Sequence, residues 1–140
     1  MKSIFIVAIA IFSLSACQAR PQAQLFDQLG GMSGIEAIVD DFLVRLGSDP
    51  RIAAHFRDAD PQRLKDKLVE QFCVESGGGC EYTGDSMKDV HAGMGITHAD
   101  FNALVEDLVA AMEAKDVPVG AQNRLLKKLA PMHGDIVEKN

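Results

Sequence analysis

Apolar residues recur every three or four positions over most of the chain, which is the spacing of one face of an α-helix. The stretches that show this pattern begin near residues 35, 64, 101 and 119. No stretch of four or more residues shows the apolar–polar alternation of a half-buried strand. The pattern therefore predicts an all-α domain.

Two of these stretches are preceded by a capping box, in which a hydroxyl residue is followed three positions later by an acidic residue. Ser33 and Glu36 have this form at the start of the first stretch. Thr97 and Asp100 repeat it before the third. Both pairs predict the first turn of a helix.

Proline and glycine predict further helix ends. Asp49-Pro50 and Asp60-Pro61 each place a capping carboxylate before a proline at the first helical position. The glycines at 77–79 end the second long helix, and Pro131 should kink or break the last one, expected over 119–137.

The first residues have the form of an export signal. Residues 4–14 are an unbroken apolar run that is too short to span a bilayer as a helix and suits a signal-peptide core. The run ends in LSAC, which resembles a bacterial lipobox and implies cleavage before Cys17 and lipidation of that residue. An ordinary secretory signal with an incidental cysteine is the alternative. The expected parts are a signal peptide (1–16), a lipidated cysteine and tether (17–24) and one domain (25–140).

Charge and cysteine content extend this picture. Loss of Lys2 with the signal would change the net charge from −6 to −7, which argues against a nucleic-acid partner. We expect the protein in the bacterial cell envelope, held by lipid at Cys17, on the periplasmic face. In an oxidising compartment Cys73 and Cys80 form a candidate disulfide, and two buried free thiols are the alternative.

The connection between Gly79 and Thr97 is long for a compact helical domain, and such connections are often functional. It contains a short helical window around 85–91, which ends at His91. The dipole of a helix also favours a solvent-exposed histidine near the helix C-terminus, which is the alternative for His91. Composition and periodicity alone do not show whether His91 has a functional role or is simply exposed to solvent.

Several motifs, in order, resemble those of the group I truncated haemoglobins. They are LFDQLGG (25–31), DFLVR (41–45), Phe56, Gly77-Gly78 before CEYTG, MKDVHAGMGI (87–96), ADFNALVEDL (99–108) and LAPMHGDIV (129–137). The resemblance spans nearly the whole expected domain. It implies a two-over-two helical sandwich, the truncated globin fold, around haem b (iron protoporphyrin IX).

The resemblance also implies a set of site residues. His91 corresponds to the proximal ligand of the haem iron. The residues expected to contact haem are Phe42, Leu43, Phe56, Leu64, Lys67, Leu68, Phe72, Tyr82, Met87, Met94, Ile96, Phe101 and Val105.

The chain departs from the family's usual pattern on the distal side. Leu43 stands where a tyrosine usually hydrogen-bonds the gas ligand, and Leu64 and Leu68 replace glutamines that often assist it. Gly79 replaces a proline. The expected distal pocket is therefore apolar, with Gln71 as the nearest polar candidate.

Other polar residues have more than one interpretation. Lys67 is expected to pair with a haem propionate, and ligation of the iron by a neutral Lys67 is the alternative. Tyr82 is expected to pack over the haem edge. His133 is expected at the surface rather than at the haem edge, and His55 and His98 are expected to be solvated.

Together these features predict reversible binding of a diatomic gas (oxygen, nitric oxide or carbon monoxide) at five-coordinate b-type haem. The absence of CxxCH excludes c-type attachment through cysteines. One alternative is nitric oxide dioxygenation or electron transfer with an unknown external reductant. Another is a partner-binding lipoprotein that has lost its haem.

Overall fold

The computed structural model describes residues 24–138, and all the regular structure in that range is helical. The expected signal peptide, Cys17 and the tether up to residue 23 lie outside the described residues. The elements are α1 (Leu25–Gln28), α2 (Gly31–Ser48), a 3₁₀ helix (Ala53–Phe56), α3 (Pro61–Ser76), α4 (Met87–His91), α5 (His98–Ala114), α6 (Val119–Leu129), a second 3₁₀ helix (Ala130–Met132) and α7 (His133–Ile136).

The four longest helices form two packed pairs. Helix α2 packs against both α3 and α5, while α6 contacts α3 and α5 from the other side. The short α4 stands outside this sandwich and packs against α7. This is the two-over-two arrangement predicted from the sequence. Among the helices described, none combines the length and apolar character needed to cross a bilayer.

Two of the predicted helix starts are present as expected. The Asp60 carboxylate accepts a hydrogen bond from the backbone N–H of Arg63 at 2.8 Å, with Pro61 as the first helical residue. Thr97 and Asp100 form the reciprocal capping box at the start of α5. At the end of the chain α6 stops at Leu129, before Pro131. Local signals were sufficient at these positions.

The other two predicted starts were wrong. Helix α2 begins at Gly31, because the chain turns at Gly30 (φ +89°), and Ser33 therefore lies inside the helix. The Asp49 carboxylate accepts from the backbone N–H of Arg51 at 2.9 Å and closes a turn. Helical structure resumes only as the 3₁₀ helix from Ala53.

The core lies between α2, α5 and α6. Five of the six apolar residues at helical spacing in α2 are fully buried, and the sixth, Leu43, is half-buried; the five are Ile35, Ile38, Val39, Phe42 and Leu46. Leu108, Met112 and Leu125 pack against them from α5 and α6.

The predicted apolar stripes of α3 and α5 are buried over only part of their length. Leu64 and Leu68 on α3, and Phe101, Leu104 and Val105 on α5, are half-buried although they are as apolar as the core. These residues face an open space within the fold.

Candidate functional site

A cavity of about 650 Å³ lies among α2, α3, α4, α5 and α6, with a mostly apolar wall. Its volume is within the range of small-molecule and cofactor pockets. The predicted site residues that line it are Phe42, Phe56, Leu64, Lys67, Leu68, Phe72, Tyr82, Met87, His91, Met94, Ile96, Phe101 and Val105. Residues expected from the resemblance alone are thus brought together by the fold.

Leu43 is the exception among the predicted pocket residues. It is half-buried and packs against the core cluster, outside the set of residues that line the cavity. Phe42 and Leu46, one helical turn apart, face the cavity, and the next residue along the helix is rotated by about 100°. The part of the cavity wall that α2 forms is therefore made by Phe42 and Leu46.

His91 is held in a defined orientation at the end of α4. The Ser86 hydroxyl caps this helix by accepting from the backbone N–H of Asp89 at 3.1 Å. The Nδ1 atom of His91 lies 2.7 Å from the carbonyl oxygen of Met87. Because a carbonyl oxygen can only accept, Nδ1 carries the proton in the neutral form of the ring, and Nε2 then keeps its lone pair. A neutral imidazole in this tautomer is the form that ligates a metal.

The backbone turns directly after His91. Ala92 ends α4 in an extended conformation, and Gly93 follows with φ +77°, a value that residues with a β-carbon rarely adopt. The chain then crosses the cavity wall at Met94 and Ile96 before α5 begins. The glycine thus permits one short segment to carry both the imidazole and the apolar side chains beside it.

The part of the wall formed by α3 offers few hydrogen-bond donors. Leu64, Leu68 and Phe72 contribute only carbon atoms. Gln71 also lines the cavity, and its Nε2 lies 3.2 Å from Met132 Sδ and 3.5 Å from Met87 Sδ. Thioether sulfur is a weak acceptor, so the Gln71 amide group has only weak hydrogen-bond partners here.

Lys67 lies at the edge of the cavity, where it forms an ion pair with Glu70. Its Nζ atom is 2.8 Å from both carboxylate oxygens of Glu70 and 2.5 Å from Thr83 Oγ1. Glu70 in turn accepts from the backbone N–H of Thr83 at 2.9 Å. The Lys67 hydrogen bond, followed by those from Thr83, lowers the pKa of Glu70 below its usual value. This network holds α3 to the loop before α4.

Tyr82, in the same loop, lines the cavity with its ring. Its hydroxyl donates to the carbonyl oxygen of Asp85 at 3.1 Å, and burial is the main cause that raises the pKa of the phenol. With its hydroxyl engaged at the rim, Tyr82 presents carbon atoms to the cavity.

His55 was expected in solvent and instead lines the cavity. Its Nε2 lies 3.4 Å from Asp100 Oδ2. The pKa of Asp100 is lowered, mainly by hydrogen bonds from the backbone and hydroxyl of Thr97 and less by His55. The missed signal was 3₁₀ spacing, because Ile52 and His55, three residues apart, share one side of such a helix.

His133 and His98 contact each other. The His98 Nδ1 and His133 Nε2 atoms are 3.0 Å apart, and the two rings stack. The His133 ring also meets the edge of Phe101, with centroids 4.7 Å apart. His98 is exposed as expected, whereas His133 is half-buried beside a cavity residue.

Cys73 and Cys80 are joined by a disulfide, with Cα atoms 5.8 Å apart. The bond ties buried Cys73 of α3 to the loop that carries Tyr82 and Thr83. Gly78 lies inside this ring, and a β-carbon there would collide with the Phe26 ring and with Cys73 Sγ. The tight turn between the cysteines therefore depends on a residue without a side chain.

The cavity suits haem by the chemistry of its wall. Apolar surface faces most of the space, the wall includes the His91 imidazole with its Nδ1 bound to Met87, and Arg63 and Lys67 lie among the lining residues. An apolar macrocycle with two carboxylate groups requires this combination. Within residues 24–138 no group of three or more histidine, cysteine or acidic residues could hold a bare metal ion.

Comparison with known proteins agrees with this geometry. The model of a family described as "Bacterial-like globin" matches residues 24–138. A group 1 truncated haemoglobin of Mycolicibacterium paratuberculosis is 36% identical over 114 residues, covering 81% of this chain and 84% of the relative. Another, from a Nostoc species, is 29% identical and covers 82% and 98%.

Solved structures show the same fold. The truncated haemoglobin of Tetrahymena pyriformis in its Fe(III) form superposes with a TM-score of 0.80 at 24% identity, covering 84% of this chain and all of that one. A two-over-two haemoglobin of a Synechococcus species, described with covalently attached haem, has a TM-score of 0.77 at 22% identity, with the same coverage.

Proposed function

The chain belongs to the bacterial-like globin family as a group 1 truncated haemoglobin with a haem cofactor, and we propose that it reversibly binds a diatomic gas at five-coordinate b-type haem. When bound, haem would supply an iron centre that can take one ligand from the protein and one gas molecule. His91 would be the protein ligand. The residues of the cavity wall would determine how tightly each gas binds.

The observation that carries the proposal is the orientation of His91 in an apolar cavity. Met87 fixes the tautomer through the 2.7 Å contact with Nδ1, which leaves Nε2 available. A hydrogen bond to the non-ligating nitrogen also orients the ring and increases its basicity as a ligand. The surrounding Met87, Met94 and Ile96 would shield the iron–imidazole bond from water.

The contacts of Lys67 support five-coordination. A lysine ligates iron only as a neutral amine, because an ammonium group has no lone pair. Lys67 Nζ instead donates to Glu70 and Thr83 at 2.5 to 2.8 Å. Ligation would break these bonds and leave the Glu70 carboxylate without its cation, so we assign Lys67 to the rim and to propionate pairing.

The apolar wall of α3 supports a preference among gases. Bound dioxygen carries partial negative charge and gains from a hydrogen-bond donor, whereas carbon monoxide carries little charge. Leu64, Leu68 and Phe72 provide no donor. The protein should therefore favour carbon monoxide over oxygen more strongly than relatives with polar pockets.

A spectroscopic measurement tests this proposal. The purified protein, saturated with haem and reduced, should show the absorption spectrum of five-coordinate ferrous haem and should convert fully on addition of carbon monoxide. A six-coordinate ferrous spectrum without added gas would contradict it, because an internal residue such as Lys67 would then occupy the gas position. Failure to take up haem would contradict it outright.

We also propose that the protein is exported and held in the envelope by lipid at Cys17, which would place Cys73 and Cys80 in an oxidising compartment. Protein recovered from the envelope should have a mass that includes acyl chains on Cys17 and should resist thiol alkylation at the other two cysteines. Two alkylated cysteines would contradict the disulfide, and an unmodified Cys17 would contradict the anchor.

Reduction of the disulfide should also lower stability. Closing so short a loop restricts the unfolded chain by about 2–3 kcal/mol on the chain-entropy estimate. The double variant Cys73→Ser, Cys80→Ser should lose about this much free energy of unfolding in denaturant titration, because both loop ends are then free. An unchanged unfolding midpoint would mean that the cross-link adds no stability.

A further inference from the structure

The residues after α7 fasten the backbone that follows His91. The N–H of Gly93 donates to Glu138 Oε1 at 2.6 Å, across 45 positions of sequence. The backbone N–H of Glu138 donates to the carbonyl oxygen of Ile96 at 3.0 Å. One residue thus binds the loop between α4 and α5 at both of its ends.

This loop needs outside support because little within it is fixed by regular structure. Helix α4 has only five residues and ends at His91, and the backbone beyond it is held to the helix by the Met94 N–H, which donates to the carbonyl oxygen of His91 at 3.2 Å. Gly93 has φ +77°, and glycine is the residue with the widest choice of backbone conformations. A carboxylate that accepts from its N–H forms a charge-assisted bond, which is stronger than a neutral one.

Glu138 follows a segment that is itself held in place. Val137, its neighbour, is buried, and its backbone N–H donates to the carbonyl oxygen of His133 at 3.0 Å. His133 is in turn anchored to α5 through His98. Helix α7 also packs against α4, which carries His91. The carboxylate is therefore presented by a fixed segment.

We propose that Glu138 is a positioning residue for His91, acting through Gly93. By fixing the backbone two residues beyond the imidazole, it sets the direction from which Nε2 meets the iron and slows the loss of haem. This inference rests on the function proposed above, since it assumes that His91 is the iron ligand.

A plain structural role for Glu138 makes a different prediction. If the carboxylate only tied α7 to the rest of the fold, its loss would lower stability without altering the bond between iron and imidazole. The iron–histidine stretching band in the resonance Raman spectrum of the ferrous protein reports that bond directly. It therefore separates positioning from general support.

The test compares three variants of the haem-loaded protein. Glu138→Ala removes the acceptor, Glu138→Gln keeps an acceptor oxygen without the charge, and Glu113→Ala is a matched control at an exposed position of α5. Glu138→Ala should shift or broaden the iron–histidine band. It should also transfer haem to an acceptor apoglobin about ten times faster or more, as expected for loss of one hydrogen bond to a charged group.

Glu138→Gln should restore the wild-type band and most of the slow transfer, and Glu113→Ala should match wild type. A wild-type band in Glu138→Ala would overturn the inference, even if haem were lost faster. Equal effects of the alanine and glutamine variants would also overturn it. A wild-type protein without any iron–histidine band would instead refute the proposed function, so the two failures are distinguishable.

Discussion

Replacing His91 with alanine should abolish the Soret band of the purified protein under conditions in which wild type binds haem fully. Loss of an outer-shell partner of a metal ligand typically costs about 10–100-fold in affinity, and loss of the ligand itself should cost more. Among the described residues that line the cavity, His55 is the only other histidine, and its Nε2 faces Asp100 Oδ2 at 3.4 Å. Haem titration followed by absorbance measures the effect.

Two further variants make this test specific. His91→Gly should recover a haem band on addition of free imidazole, since the small ligand can enter the vacated volume. His98→Ala, a matched histidine replacement outside the cavity wall, should keep its haem band. An unchanged spectrum in His91→Ala would remove the basis for the proposed function.

The second large effect is expected on the distal side. Replacing Leu68 with glutamine should slow oxygen release from the ferrous protein by about tenfold, because a new hydrogen bond to the ligand worth about 1.4 kcal/mol corresponds to that factor. Leu68 is suited to this test, since it lines the cavity and also packs against the core. Carbon monoxide release should change much less. Stopped-flow ligand release measures both rates.

A comparison with Leu43→Tyr tests the geometry of the pocket. The family resemblance assigns the ligand-facing position to residue 43, whereas the structure places Leu43 outside the cavity wall. Leu43→Tyr should therefore slow oxygen release less than Leu68→Gln does. The opposite order would show that residue 43 is the distal position after all. Slow oxygen release from five-coordinate wild type would reveal an existing donor, for which Gln71 is the candidate.

Much of the fold was predictable because its signals are local. Asp60 before Pro61, and Thr97 with Asp100, cap helices through bonds that span three residues, so they depend little on the rest of the chain. Ser33 and Asp49 carry similar signals, but neither caps the start of a helix. At Ser33 the glycine turn starts the helix earlier, and at Asp49 a side-chain bond to the Arg51 backbone closes a turn first.

The residues of the pocket were also predictable only in part. Helical spacing identified the apolar stripes of α3 and α5, and the family resemblance assigned His91 and the residues around it. Helical spacing alone could not show that Leu64 and Leu68 would face a cavity instead of the core; only the resemblance placed them in the distal pocket. Burial depends on what packs against a helix face, and that is decided by elements distant in sequence.

The sequence by itself determined the helical class of this protein, several of its helix ends and the histidine that a globin of this group would use. Tertiary structure alone decided that His55 joins the cavity wall, that Leu43 lies outside it, and that Lys67 is tied to Glu70 and Thr83. It also brought Glu138 to Gly93, 45 positions away. The physical reason is the sequence distance over which each interaction acts. Helix caps and helical periodicity involve residues three or four positions apart, whereas a contact between distant segments exists only after the chain has packed.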